Sequence, residues 1–131
     1  MRCVVTRDVL SRLLEEARSA YPLEACGILL GEGLHIVQAH PTRNIHPNPK
    51  THFEIDPQAL IDAHRAARRG GPQVVGYYHS HPHGPPEPSV TDREMAAGDN
   101  RVWAIVGEGR VAFWRDGDDG FTALSYALVD R

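Results

Sequence analysis

The segment His79-Ser80-His81-Pro82-His83-Gly84-Pro85-Pro86-Glu87-Pro88-Ser89-Val90-Thr91-Asp92 gathers metal-ligand side chains at a spacing that local structure alone does not require. Just upstream, Val74-Val75-Gly76-Tyr77-Tyr78 is a β-branched and aromatic run, so His79 and His81 are expected at the end of a strand. Side chains two apart on a strand share a face, which lets both imidazoles reach one ion. The Pro/Gly-rich turn can then carry Asp92 back toward the same ion, at the start of a helix opening at Ser89. Two histidines, one carboxylate and an unclaimed fourth position have the make-up of a catalytic zinc site, since structural zinc is normally closed by four protein ligands. The fourth position leaves room for water.

Other readings compete locally. Ser89-x-x-Asp92 and Thr91-x-x-Glu94 both fit the capping box that starts helices, and a His-x-His pair alone is a weak metal signal. The metal reading rests on the joint pattern of His-Ser-His-Pro at a strand end, seven residues between His81 and Ser89, and two more before Asp92. Pro82 and Gly84-Pro85-Pro86 interrupt the strand alternation around His83, which stays outside the ligand set, and Glu87 is expected to face solvent.

His79-Ser80-His81, seven residues, Ser89, two residues and Asp92, preceded at a distance by Glu24 in Pro22-Leu23-Glu24-Ala25-Cys26-Gly27, resembles the motif of the JAMM (MPN-plus, Mov34) metalloprotease family, small prokaryotic type. Every motif position is filled, and the resemblance covers nearly the whole chain. It implies a cytidine-deaminase-like α/β fold and zinc-dependent hydrolysis of an amide or isopeptide bond at the C-terminus of a ubiquitin-like protein. By that resemblance His79, His81 and Asp92 hold Zn²⁺, which lowers the pKa of a bound water from about 15.7 toward about 7. Glu24 takes the proton as general base and returns it to the departing amine. From local sequence alone, a glutamate at the mouth of a buried strand reads as a solvated edge residue. The Ser89 hydroxyl is expected to donate to the oxyanion and not to act as nucleophile. Burial as a small hydrophobe is the expectation for Cys26.

The family's small prokaryotic members are little more than the core domain, so the expected partner is a ubiquitin-like sulfur carrier ending in Gly-Gly. Some such members release an amino acid such as cysteine from the carrier. A deubiquitinase-like isopeptidase is the alternative, disfavoured by the short connection after Asp92, which leaves no second insertion to hold another ubiquitin. A non-catalytic scaffold module would resemble relatives that lack the ligand set, whereas this chain keeps it. A base deaminase requires His-x-Glu and Pro-Cys-x-x-Cys, and neither occurs.

At 131 residues the chain reads as one domain, 1–131, of α/β class, with a mixed β-sheet flanked by helices. A net charge of -3 supplies no electrostatic footprint for nucleic acid or an anionic membrane. No apolar run approaches the roughly twenty residues that span a bilayer, and Arg7 and Asp8 arrive before a signal-peptide core could form. Two cysteines make no disulfide framework. A cytoplasmic protein is expected, and nothing in the sequence sets an oligomeric state.

The supporting elements follow from patterning. Thr6 caps a helix whose stripe is Val9, Leu10, Leu13, Leu14 and Ala17, and which must stop before Pro22. The continuously apolar run 26–30 is a central strand with Glu24 at its mouth. Gly31-Glu32-Gly33 turns into a strand over 34–39, and 40–51, with three prolines and two asparagines, is a loop that in the family can help grip the substrate's tail. A brief strand is predicted over 52–55. Asp56-Pro57 then opens a helix through Leu60, Ile61, His64 and Ala67 to a solvated Arg68-Arg69 end. Strands over 102–106, 111–114 and 121–126 complete the sheet.

Overall fold

A computed structural model of the protein describes residues 2–131, so Met1 lies outside the described residues. The apolar run at its centre is β2 (Cys26–Glu32), buried along its length except at Glu32. It lies antiparallel between β3 (His35–Thr42) and β4 (Gln73–Ser80). Helices cover both of its faces, which is why its residues are continuously apolar and do not alternate with polar ones.

Two of those helices begin at the expected caps. Helix α1 (Arg7–Ala20) starts at Thr6, whose hydroxyl accepts from the Val9 N–H at 3.2 Å, and its stripe buries Val9 and Leu13 against Leu29, Ile36, Tyr78 and Phe113. Helix α2 (Pro57–Arg68) starts at Asp56, whose carboxylate accepts from the Gln58 N–H. With the segment before it, α2 covers the other face, where Cys26, Ile28 and Leu30 meet Phe53, Ile55 and Trp103. Alternation along β4 therefore sends Tyr78 toward α1 and His79 toward the α2 side.

Past β4 come the short α3 (Val90–Met95) and three strands, β5 (Val102–Gly107), β6 (Arg110–Gly117) and β7 (Gly120–Val129). The sheet order is β1-β3-β2-β4-β5-β6-β7, with β1 (Arg2–Thr6) parallel to both β3 and β7, so the mixed sheet closes on itself. Strand β1 carries no sequence expectation. It leads into α1 without a turn signal, and its role is to join the two sheet edges. A Cβ at Gly76 would run into the Val102 carbonyl, so glycine there is what lets β4 and β5 pair.

Three local expectations change. Strand β2 continues through Glu32, and the turn falls at Gly33-Leu34, with Gly33 at φ 60 where only glycine is unstrained. Strand β3 extends to Thr42, with Pro41 opposite Gly27, so the loop begins at Arg43. Proline is tolerated there because β1 pairs β3 only near His35 and Ile36, leaving the Pro41 end of β3 as an edge. The predicted strand over 52–55 is reduced to a single bridge, Asn44 to Ile55, because the His52 carbonyl and the Glu54 N–H bond to the Asn44 side chain. Among the described residues no helix is long and apolar enough to cross a membrane.

Candidate active site

His79 enters the α2-side core at the end of β4 and is 1% exposed. Packing holds its ring, which stacks on Phe53 at 4.2 Å between centroids and meets Trp103 edge-on at 5.6 Å. Its Nδ1 has no partner. His81 lies one residue beyond the strand, where its N–H still donates to the Val106 carbonyl at 2.7 Å. The His81 Nδ1 is 2.8 Å from the Pro85 carbonyl. A carbonyl can only accept, so the proton sits on Nδ1 and Nε2 presents a lone pair.

The turn brings Asp92 back as expected, and a capping box aims it. The Ser89 hydroxyl accepts from the Asp92 N–H at 3.0 Å, while the Ser89 N–H donates to Asp92 Oδ2 at 2.9 Å. Capping and site-building are thus one arrangement. Asp92 Oδ1 lies 3.0 Å from His79 Nε2, Oδ2 lies 3.1 Å from His81 Nε2, and the two Nε2 atoms are 3.1 Å apart. All three side chains offer a ligand atom within 4.8 Å of the others. A buried carboxylate facing two imidazole nitrogens, one of them a bare lone pair, is the donor chemistry of a divalent-cation site.

Burial alone would raise the Asp92 carboxyl, but the His79 ring, the His81 ring in its protonated form and the Ser89 N–H outweigh it and hold it well below the usual carboxylate range. Burial lowers His79, with Asp92 opposing. For His81, burial is outweighed by the Asp92 carboxylate, the Pro85 carbonyl and the charge of Glu24, and its pKa is raised.

Glu24 lies just before β2 and is 7% exposed. Cys26 pairs with His79 across the β2–β4 ladder, the Ala25 N–H donates to Ser80 Oγ at 2.8 Å, and the Ser80 N–H donates to the Ala25 carbonyl. The glutamate is thereby moored to the strand that carries the histidines. Its N–H donates to the Pro49 carbonyl at 2.8 Å, and its own carbonyl accepts from Asn44 Nδ2 at 3.1 Å. Burial pushes its carboxyl up to about 7, with His81 pulling down and Asp92 pushing up. A carboxyl tuned there can take and return a proton near neutrality.

The remaining candidates fall where expected. His83 is exposed, its ring edge against Tyr21, and Glu87 is exposed too. Cys26 is buried, its thiol raised by burial and placed 3.6 Å from both Thr42 Oγ1 and the Arg43 carbonyl, the opposite of a reactive thiolate. His64 is half-buried on α2, and Arg68 and Arg69 are exposed at its end. Sequence reasoning missed Phe53, Trp103 and Asn44, whose roles depend on contacts across the fold that no local pattern signals.

One cavity borders the cluster and another lies behind it. One of about 460 Å³ borders His81 and is walled by Leu14, Arg18, Tyr21 and Glu108. The other, about 360 Å³, is walled by Phe53, Leu60, Tyr77, Met95 and Trp103, beyond the aromatic rings that hold His79.

Amide hydrolysis without a covalent intermediate calls for a cation site and a proton acceptor poised near neutrality. The His79, His81 and Asp92 cluster could hold such a cation. A family model described as prokaryotic homologs of the JAB domain matches residues 6–117, and the chain belongs to this family. It is 36% identical over 124 residues to a desampylase from Haloferax volcanii, covering 92% of this chain and 89% of that one. A probable TtuB-protein conjugate cleaving protease from Thermus thermophilus is 39% identical over 88 residues, 64% of this chain and 59% of its own. A CysO-cysteine peptidase from Mycobacterium tuberculosis is 30% identical over 105 residues, with 79% and 71% covered. Among solved structures, a protein from Desulfitobacterium hafniense superposes with a TM-score of 0.84 at 27% identity, over 98% of this chain and 94% of that one.

Proposed function

We propose that this protein is a cytoplasmic zinc peptidase that hydrolyses the amide or isopeptide bond following the C-terminal Gly-Gly of a ubiquitin-like sulfur carrier. The observation that carries the reading is the convergence of His79 Nε2, His81 Nε2 and the Asp92 carboxylate within 4.8 Å. Those three residues hold the metal. Bound there, zinc supplies Lewis acidity, polarising a carbonyl and lowering the pKa of water toward about 7.

The chain's own residues do the rest. Glu24 Oε accepts the proton of the attacking water and delivers it to the nitrogen of the departing amine, a two-way task suited to a carboxyl whose proton affinity burial raises. Ser89 Oγ accepts from the Asp92 N–H, so its proton is free to point at the substrate carbonyl oxygen as charge develops there. Among the described residues no base takes that proton, which makes Ser89 a stabiliser and not a nucleophile. The Pro85 carbonyl keeps the His81 lone pair aimed at the cluster.

The names of the three relatives support the substrate class: a desampylase, a TtuB-protein conjugate cleaving protease and a CysO-cysteine peptidase. Cleavage of protein conjugates is the second reading, favoured by the Thermus relative's name. Intact-mass analysis tests both. A Gly-Gly-ending carrier bearing a C-terminal cysteine, and the same carrier joined to a protein lysine, are incubated with zinc-loaded protein, chelated protein and Glu24→Gln. Release from either substrate only by zinc-loaded wild type is expected. Cleavage by the chelated protein, or none by protein with stoichiometric zinc, overturns the proposal.

A further inference from the structure

The geometry points to Asn44 as a positioning residue for proton transfer, holding Glu24 in place from across the 43–56 loop. This inference rests on the reading of Glu24 as the proton acceptor. The loop has neither strand nor helix, yet one side chain organises it. Asn44 fills all four hydrogen-bonding positions of its amide. Nδ2 donates to the Glu24 carbonyl at 3.1 Å and to the His52 carbonyl at 2.9 Å, and Oδ1 accepts from the N–H groups of His46 and Glu54, each at 3.1 Å.

The loop grips Glu24 from both ends of its backbone, because the Glu24 N–H donates to the Pro49 carbonyl at 2.8 Å. Among the described residues the Glu24 carboxylate has no hydrogen-bond partner of its own. Backbone anchoring is therefore what aims it. The same loop carries Phe53 onto the His79 ring, so releasing Asn44 could act through either neighbour. The two routes have different signatures. Losing the Phe53 contact loosens the metal, whereas displacing Glu24 by about 1 Å lowers turnover on the order of 10²-fold and leaves the metal bound.

Asn44→Asp separates them. Its first oxygen can keep the bonds from His46 and Glu54, while the second faces the Glu24 and His52 carbonyls without a proton. When the introduced carboxyl is protonated, it regains one donor. Asn44→Ser removes the reach to Glu24 without adding charge and serves if the aspartate variant does not fold. With zinc-loaded proteins and the cysteine-ending carrier, kcat is expected to fall about 10–100-fold in both variants at pH 8, with KM within about twofold and zinc stoichiometric. The deficit of Asn44→Asp narrows as pH falls, and that of Asn44→Ser does not.

Amide hydrogen exchange supplies a readout independent of turnover. The Glu24 N–H should lose protection in both variants, while the Ala25 N–H, bonded to Ser80, keeps it. Wild-type kcat in both folded variants, unchanged Glu24 exchange, or a loss restored by excess zinc overturns the proposal. Glu24→Gln is measured alongside. If it stays active, the proton-acceptor reading falls and takes this inference with it. If it is inactive while both Asn44 variants work normally, only the role of Asn44 falls.

Discussion

Replacing Glu24 with glutamine is expected to stabilise the metal-free protein above neutral pH while abolishing turnover of the zinc-loaded form. Burial raises the Glu24 carboxyl from 4.5 to about 7, so the folded protein holds this proton more tightly than the unfolded chain does. Between those two values the unfolded state binds fewer protons, and stability falls as pH rises; above about 7 the penalty is complete and the curve levels. At about 1.4 kcal/mol per pH unit the ceiling is about 3 kcal/mol, and partial hydration of the carboxylate brings the expected effect to about 1–2 kcal/mol. Glutamine has nearly the same shape and never ionises. Its advantage should be absent near pH 4.5 and full near pH 8. Urea melts of both metal-stripped proteins across that range, compared at equal m, give the difference directly. His79 and Asp92 titrate in both proteins, and because the Glu24 charge helps raise His81, the difference reports Glu24 together with its pairing to that ring. Parallel curves, or a glutamine variant that is the less stable at pH 8, would refute the argument that this carboxyl sits in an environment hostile to its charge.

Alanine in place of His79, His81 or Asp92 should each reduce bound zinc below one per chain after dialysis, and unchanged metal content in all three would dismantle the site. Ser89→Ala removes a cap worth about 1 kcal/mol and an oxyanion donor worth about 10²–10³ in rate. Zinc should remain while both the urea midpoint and turnover fall; a lower midpoint with normal turnover would assign Ser89 to capping alone.

Much of the site is legible in the chain because its geometry is local. His79 and His81 share a strand end, Ser89 and Asp92 share one helical turn, and short-range backbone geometry dictates both relations. The caps at Thr6 and Asp56 and the buried run of β2 are read the same way, from side chains that satisfy their own neighbours. Where local rules failed, a distant partner had intervened. Pro41 stays in β3 because one side of that strand has no neighbour there, and 52–55 is no strand because Asn44 takes its polar groups.

The sequence by itself determined the candidate donor set, the order in which it arrives and the elements that bear it. Tertiary structure alone decided that β1 closes the sheet, that Cys26 lies opposite His79 and so brings Glu24 to the histidines, and that Phe53 and Trp103 wall in one of the rings. The physical reason is one of range. Hydrogen bonds within a turn or along a strand follow from adjacent backbone angles, whereas strand neighbours and a buried carboxyl's pKa depend on which apolar surfaces the whole chain covers together.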